Sequence, residues 1–381
     1  MKYMNNWLPT VVGVGLSLVS VPVFAQSSRP LPVVASFSIL GDMVREVGGE
    51  HIDLTVIVGP NEDTHVFMPT PQDARAVSNA EILFVNGVEF EGWLPRLVEA
   101  AGFDGELVVT TEGMTLIAYE DEHDQHDEHD EHDEHDEHDE HDEHDEHDEH
   151  DEHDEHDEHD EHDEHDEHDE HDEHDEHDEH DEHDEHDEHD EHDEHDEHDE
   201  HHGHNHGEFD PHAWQSLEMA LVYVENITAA LSSVDPDNAE SYARNAAAYQ
   251  AEIQSLDAEI KSAVSRIPEQ DRVVVTAHDA FGYFEATYDV TFLAPQGLST
   301  ESEVSAQDVA NIIRQIREDG IKAVFVETFS DPRLMRQVAN ETGASIGGEL
   351  YPGSLSDGDG PAATYLDMIR HNAYQIIDAL K

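Results

Sequence analysis

The chain carries 35 histidines, and their spacing sorts them into two kinds of chemistry. Twenty-seven stand three residues apart from His123 to His201, each beside acidic residues, and His202, His204 and His206 form the tail of that run. Five lie elsewhere: His51, His65, His212, His278 and His371. His65 sits in the loop GPNEDTHVFMPTPQD that follows the apolar run IDLTVIV, and His278 follows directly on RVVVTA. His212 stands in Asp210-Pro211-His212-Ala213-Trp214, at the start of a helical stretch. Any one histidine serves as readily on a surface or as a cap, but three at strand ends and a helix start form a ligand set. Neutral imidazole nitrogen suits Zn²⁺ at about 2.0–2.1 Å, and three such ligands leave a fourth position open. With no cysteine in the chain, a thiolate ligand is excluded. His51 in a Gly-Gly-Glu turn and His371 on the last helix read as structural.

The triplet tract has a different chemistry. Residues 120–207 hold 54 of the 96 acidic residues and none of the 16 basic ones. Nothing in the triplets is apolar enough to build a core, so the expectation is a disordered segment. A three-residue period drifts around a helix of 3.6 residues per turn, so no one face would collect the imidazoles. Many weak ligands on a flexible strand make a fast-exchanging Zn²⁺ reservoir that raises the effective metal concentration beside a neighbouring site.

The elements that must position the three histidines follow from pattern. Runs 32–37, 52–58, 81–86 and 106–110 are short, Val/Ile-rich and read as buried strands, with helices between them around Leu40–Val47, Pro71–Ser78 and Trp93–Ala101. The alternation returns with strands at 272–277, 290–294, 322–327 and 344–348 and helices at Ala280–Thr287, Ser305–Glu318, Pro332–Thr342 and Pro361–Leu380. Such alternation predicts an α/β fold of two lobes, each a largely parallel sheet flanked by helices. Between them Tyr242, Tyr249, Ile253, Leu256, Ile260 and Val264 form one apolar stripe, opened by Asp235-Pro236 and closed by Pro268. This predicts one long, rigid connecting helix over 235–268. Loops beyond the carboxyl ends of parallel strands are where open α/β sheets hold ligands, which is where the histidines fall.

Residues 1–25 read as an export signal, with Lys2, an uncharged apolar stretch from Trp7 to Val23, and small residues Val23 and Ala25 before a cleavage point. The expected organisation is therefore signal 1–25, first part of the N-terminal lobe 26–119, tract 120–207, a ligand-bearing helix 208–234, connector 235–268 and C-terminal lobe 269–381. A disulfide-free exported chain without a cysteine for lipid attachment is expected free in a bacterial periplasm, as a soluble monomer. Outside the tract 42 acids face 16 bases, a balance that excludes nucleic acid as a partner.

At this point the chain resembles the metal-binding proteins of ABC importers for zinc and manganese, in particular the ZnuA-type zinc group. The resemblance rests on Asp210-Pro211-His212-Ala213-Trp214, on Ala277-His278-Asp279-Ala280-Phe281-Gly282-Tyr283-Phe284, and on Gly360-Pro361-Ala362-Ala363-Thr364-Tyr365-Leu366. The acidic His-rich insert between the first two ligand motifs matches as well. The resemblance implies two α/β lobes joined by a long helix, metal in the cleft on His65, His212 and His278, and an ABC permease of the inner membrane as partner. It departs at one place: where many relatives carry an aspartate as fourth ligand, this chain has Gly353 within Tyr351-Pro352-Gly353-Ser354. That leaves water, a carboxylate such as Glu62, or a tract histidine as candidates for the fourth position.

Three functions compete for these residues: capture of Zn²⁺ for an importer, buffering or storage of zinc by the tract, and hydrolysis at a three-histidine zinc. The last lacks an HExxH helix and a convincing base, since Glu62 and Asp279 are neighbours of ligands rather than placed against a substrate. The first is the expectation, and no enzyme activity is expected. Because protons compete with metal for imidazole, zinc uptake by the tract should fall steeply between pH 7.5 and 5.5, across the ordinary histidine pKa of about 6.5. Equilibrium dialysis against ⁶⁵Zn at the two pH values checks this, and unchanged uptake would rule out imidazole ligation.

Overall fold

The computed structural model describes residues 29–119, 208–302 and 304–381, so the expected signal and the tract lie outside the described residues. The first lobe runs β1 (Leu31–Phe37), α1 (Ser38–Gly48), β2 (Ile52–Val58), α2 (Pro71–Asn79), β3 (Ile82–Val85), α3 (Leu94–Ala101) and β4 (Glu106–Val109). Its four strands are all parallel, in the order β2-β1-β3-β4. After the tract come α4 (Leu217–Val234) and α5 (Ala239–Val264). The second lobe comprises β5 (Val273–Val275), α6 (Gly282–Tyr288), β6 (Thr291–Leu293), α7 (Ala306–Asp319), β7 (Ala323–Glu327), α8 (Pro332–Thr342), β8 (Ser345–Leu350) and α9 (Tyr365–Ala379). It repeats the topology as a parallel sheet ordered β6-β5-β7-β8. The expected fold class is the one observed.

Local chemistry sets the boundaries. Thr70 caps α2 with a full capping box, its hydroxyl accepting from the Asp73 amide while Asp73 accepts from the Thr70 amide, and Pro71 opens the helix. Ser305 caps α7 and Asp331 caps α8 ahead of Pro332, as their sequence pattern predicts. β5 is shorter than the expected 272–277, because the amides of Ala277 and His278 turn away from the sheet to bond the Glu327 carboxylate. β8 runs on to Leu350, with a register irregularity opposite Val324 and Phe325. Gly347 permits this: a Cβ there would lie 2.5 Å from the Phe325 ring.

The connecting helix is shorter than 235–268. Residues Pro236–Asn238 form a 3-10 turn, and α5 proper has 26 residues, about 39 Å at 1.5 Å per residue. Its predicted stripe is buried without exception, with Ala246 added, and packs on α1, α4 and α9. α4 is 18 residues long and apolar enough in length and composition to cross a membrane; it lies within the helix expected over 208–234 but begins only at Leu217, after His212. Here Tyr223, Val224, Ile227 and Leu231 of α4 bury in the main core, and Asn226 on another face bonds the carbonyls of Thr110 and Glu112.

The two sheets are tied across their carboxyl ends. The Pro352 carbonyl accepts from Trp214 Nε1 (2.8 Å) and Gln215 Nε2 (2.7 Å), the Tyr365 hydroxyl donates to the Trp214 carbonyl (2.6 Å), and the Leu355 amide donates to Ser38 Oγ (3.0 Å). Trp214 and Tyr365 are fully buried at this seam. Ile253, fully buried at the middle of α5, should be costly to empty: Ile253→Ala should lower unfolding free energy by roughly 2–5 kcal/mol. Guanidinium unfolding followed by far-UV circular dichroism measures it, and a loss below about 0.5 kcal/mol would show that α5 is not part of the cooperative core.

Candidate metal centre

His65, His212 and His278 come together. One ring nitrogen of each lies within 4.8 Å of the other two, and His65 Nε2 to His212 Nε2 is 3.3 Å. His212 and His278 are buried, and His65 is the least covered of the three. Among the described residues no other group of histidines, aspartates and glutamates converges in this way.

Each ring is held by its own local structure. His65 follows β2 in a loop whose Thr64 carbonyl accepts from Trp93 Nε1 (2.8 Å). Its amide donates to Asp63 Oδ1 (3.0 Å), and Asp63 Oδ2 accepts from the Thr300 hydroxyl of the other lobe (2.6 Å). His212 sits just ahead of the 3-10 turn Ala213–Gln215, with Asp210 Oδ1 accepting from both its amide and its Nδ1, each at 2.8 Å. His278 follows β5, and Glu327 at the end of β7 accepts from its Nδ1 (2.6 Å). β5 and β7 are the central strands where connections leave in opposite directions, the switch point at which parallel sheets place ligands.

These contacts fix the tautomers. With Nδ1–H of His212 and His278 donated to carboxylates, Nε2 of each carries the lone pair. Burial, then the charges of His212 and His278, holds His65 well below the ordinary histidine pKa. Burial followed by the His278 charge does the same for His212, so both rings are neutral and available as ligands. Burial acts to lower His278 too, but the Glu327 carboxylate outweighs it and the net direction is upward. Glu327 shifts down despite burial, because His278 and two backbone N–H groups favour its charged form. Asp210, almost without solvent, is pushed up to about 7.

The carboxylates singled out in the sequence are not the ones that orient the rings. Glu62 is exposed and closes its own turn, Oε2 accepting from the Gly59 amide (2.8 Å), so it does not join the cluster. Asp279 engages Gln296 and Gly297 through its amide, and burial raises its carboxyl to about 6. Asp210 and Glu327 take the orienting role instead. Asp210 was within reach, two residues before His212 in the same motif; Glu327 is 49 residues from His278, and its signal was an acid closing the apolar run AVFV. Gly353 faces the ring of Phe329: a Cβ there would lie 3.6 Å from it, and that ring's centroid is 6.0 Å from that of His278. An aromatic edge therefore borders the cluster on the side where a fourth side chain would be expected. His51 packs its ring on Tyr242, and His371 Nε2 donates to the Glu349 carbonyl of β8 (3.0 Å), both away from the cluster.

Fold and family together define a periplasmic metal-binding substrate-binding protein of ABC transporters, with an ABC permease as partner. The family described as "Zinc-uptake complex component A periplasmic" (ZnuA) matches residues 33–379, and the chain belongs to it. It is 26% identical over 356 residues to the manganese-binding lipoprotein MntA of Halalkalibacterium halodurans, covering 93% of this chain and 90% of that protein. It is 27% identical over 358 residues to the iron-binding protein YfeA of Yersinia pestis, covering 93% and 89%. In fold it is similar to the periplasmic zinc-binding protein TroA of Treponema pallidum, with a TM-score of 0.67 at 21% identity over 93% of this chain and 99% of that one. The family consists of transport proteins and not enzymes, which disposes of the hydrolase alternative.

Outer carboxylates of this kind typically change metal affinity 10- to 100-fold when lost. Glu327→Gln should therefore weaken metal binding by about that factor while the protein stays folded. Competition titration against a chromophoric chelator, with a thermal melt alongside, reads both, and unaltered affinity would remove Glu327 from the ligand-orienting role.

Proposed function

We propose that this protein captures Zn²⁺ on His65, His212 and His278 and passes it to an ABC zinc importer. The observation that carries the reading is the 3.3 Å between the Nε2 atoms of His65 and His212. Two nitrogens each about 2.0–2.1 Å from one ion at a tetrahedral angle stand about 3.3 Å apart. Without an ion, His65 as its Nε2–H tautomer donates to the His212 lone pair; as its Nδ1–H tautomer it turns a second lone pair to the same point, where one ion meets both. The choice of zinc over manganese is supported by the donor set, three imidazoles and no carboxylate, since manganese favours oxygen-rich sites. The named relatives divide among manganese, iron and zinc, so the donors carry this step and the family does not.

In the same reading residues 120–207 are an accessory zinc collector, and the chain works as a soluble periplasmic monomer after removal of residues 1–25. Several relatives are named as lipoproteins, whereas this sequence has no cysteine to carry a lipid.

The test is zinc competition titration of the protein lacking residues 120–206, beside its His65→Ala, His212→Ala and His278→Ala forms. One tight site is expected, lost by at least about a hundredfold in each variant, the loss of one of three ligands. A tight site indifferent to all three changes would overturn the cleft assignment and leave the tract as a zinc buffer.

A further inference from the structure

His212 and His278 each hold a carboxylate on Nδ1, but the third ring of the cluster has no such partner. Among the described residues His65 bonds through its amide to Asp63 and through Nε2 to His212, and nothing bonds its Nδ1. The torsion that turns an imidazole about its Cβ–Cγ bond has broad minima, so only packing can fix this ring. That packing is aromatic. Phe90, 2% exposed, stands edge-on to His65 with centroids 4.8 Å apart and planes at 82°, the shortest ring-to-ring approach that His65 makes. Phe90 is itself wedged against Phe37 (5.0 Å) and Trp214 (4.7 Å), so it does not follow a movement of the imidazole. Its ring also lies 5.9 Å from that of His212, which Asp210 already holds.

The backbone goes to some length to put Phe90 there. Between β3 and α3, Gly87, Val88 and Glu89 all have left-handed φ, at +83°, +55° and +58°. Glycine takes that conformation freely, whereas a β-branched valine there is an outlier, and such strain lasts only where the surroundings impose it. Buried Glu91 imposes it here. Its Oε1 accepts from the Ser36 hydroxyl and the Asn86 amide, each at 2.7 Å, and its Oε2 accepts from the Gly87 amide at 3.1 Å. Asn86 in turn donates through Nδ2 to the carbonyl of Pro211 (2.9 Å), the residue before His212. The strained turn thus seats Phe90 and is pinned to the segment that carries a second ring of the cluster.

We propose that Phe90 is a positioning residue for the metal site, holding the His65 imidazole by contact as Asp210 and Glu327 hold the other two rings by hydrogen bonds. The proposal rests on the reading of His65 as a metal ligand. A smaller or more pliant side chain at position 90 leaves His65 free to swing away from the ion, so zinc escapes faster. Because the effect runs through His65, it disappears when His65 is absent.

The experiment is stopped-flow release of Zn²⁺ from the full chain, loaded with one equivalent, into an excess of a chromophoric chelator. The proteins are wild type, Phe90→Leu, Phe90→Met, His65→Ala and the double variant His65→Ala with Phe90→Leu. Both Phe90 variants keep an apolar side chain in the core, and a metal-free thermal melt with one cooperative transition shows that each is folded. In the two of them the slowest release phase is expected to quicken about tenfold or more, the scale for groups that orient a ligand. In the His65→Ala background, Phe90→Leu is expected to alter that phase by less than about twofold, since the two residues act as one unit. A slowest phase unchanged in both Phe90 variants but quickened in His65→Ala would overturn the positioning role and leave His65 a ligand. Equal quickening by Phe90→Leu with and without His65 would overturn it as well, marking Phe90 as general packing. Indifference to His65→Ala would instead sink the ligand reading on which the proposal stands.

Discussion

A fully buried carboxylate is the constraint around which the second lobe is arranged. Glu327 has no solvent to stabilise its charge, so every lone pair must be met by protein. The amides of Ala277 and His278 and the Nδ1–H of His278 meet them, joined by the Ser330 hydroxyl. Satisfying that demand ends β5 two residues early, lifts His278 off the sheet and turns its Nε2 toward the other two rings. An isolated ionised carboxylate in such a place would be far too costly to keep, whereas one bonded to a histidine and two peptide groups titrates below its usual range. The Asp210–His212 pair repeats the arrangement from the first lobe with a tighter local turn. The cluster thus joins a carboxylate-oriented ring from each lobe with a third ring, His65, whose loop is bound to Asp63 and, through it, to Thr300 across the cleft.

The seam between lobes explains how this geometry persists. Trp214 and Gln215 immediately follow the ligand motif, and both donate to the one carbonyl of Pro352, so the segment bearing His212 is fastened to the segment bearing Gly353. α5 reinforces this from behind: its apolar stripe packs on α1 of the first lobe and α9 of the second. Large hinge opening would strip Trp214, Tyr365 and this stripe of their burial together, at about 1.5–3 kcal/mol for each large apolar side chain. The His65 loop is the least covered part of the cluster. That loop also exposes Val66 and Met68.

The alternation of apolar runs was enough to read both sheets and every flanking helix, since buried parallel strands are short and β-branched and caps such as Ser305 and Asp331 announce themselves locally. The three histidines were equally legible as a group, because each lies in a loop beyond an apolar run or ahead of a helix, and the structure brings their ring nitrogens together. The ends of β5 and α5 were not: the first is set by Glu327, a residue 50 positions from Ala277, and the second by a 3-10 turn that conserves the Asp235-Pro236 start while delaying the α-helix. Glu327 was missed for the same reason, since its partner is distant in sequence and an acid at a strand end looks like a solvated terminus. The pairing of Gly353 with Phe329 could not be foreseen, because it depends on which ring the fold swings beside an absent side chain.

That absent side chain bears on which ion the cleft favours. A carboxylate at 353 would add negative charge and an oxygen donor, both of which favour harder cations. With Phe329 beside Gly353, charge reaches the cluster only through rings, from Asp210 and Glu327 by way of Nδ1–H donors, and from Asp63 at one remove. Imidazoles polarised in this manner are better bases at Nε2, which strengthens them as nitrogen ligands. The cleft holds its carboxylates one bond behind the rings and spends their charge on orientation.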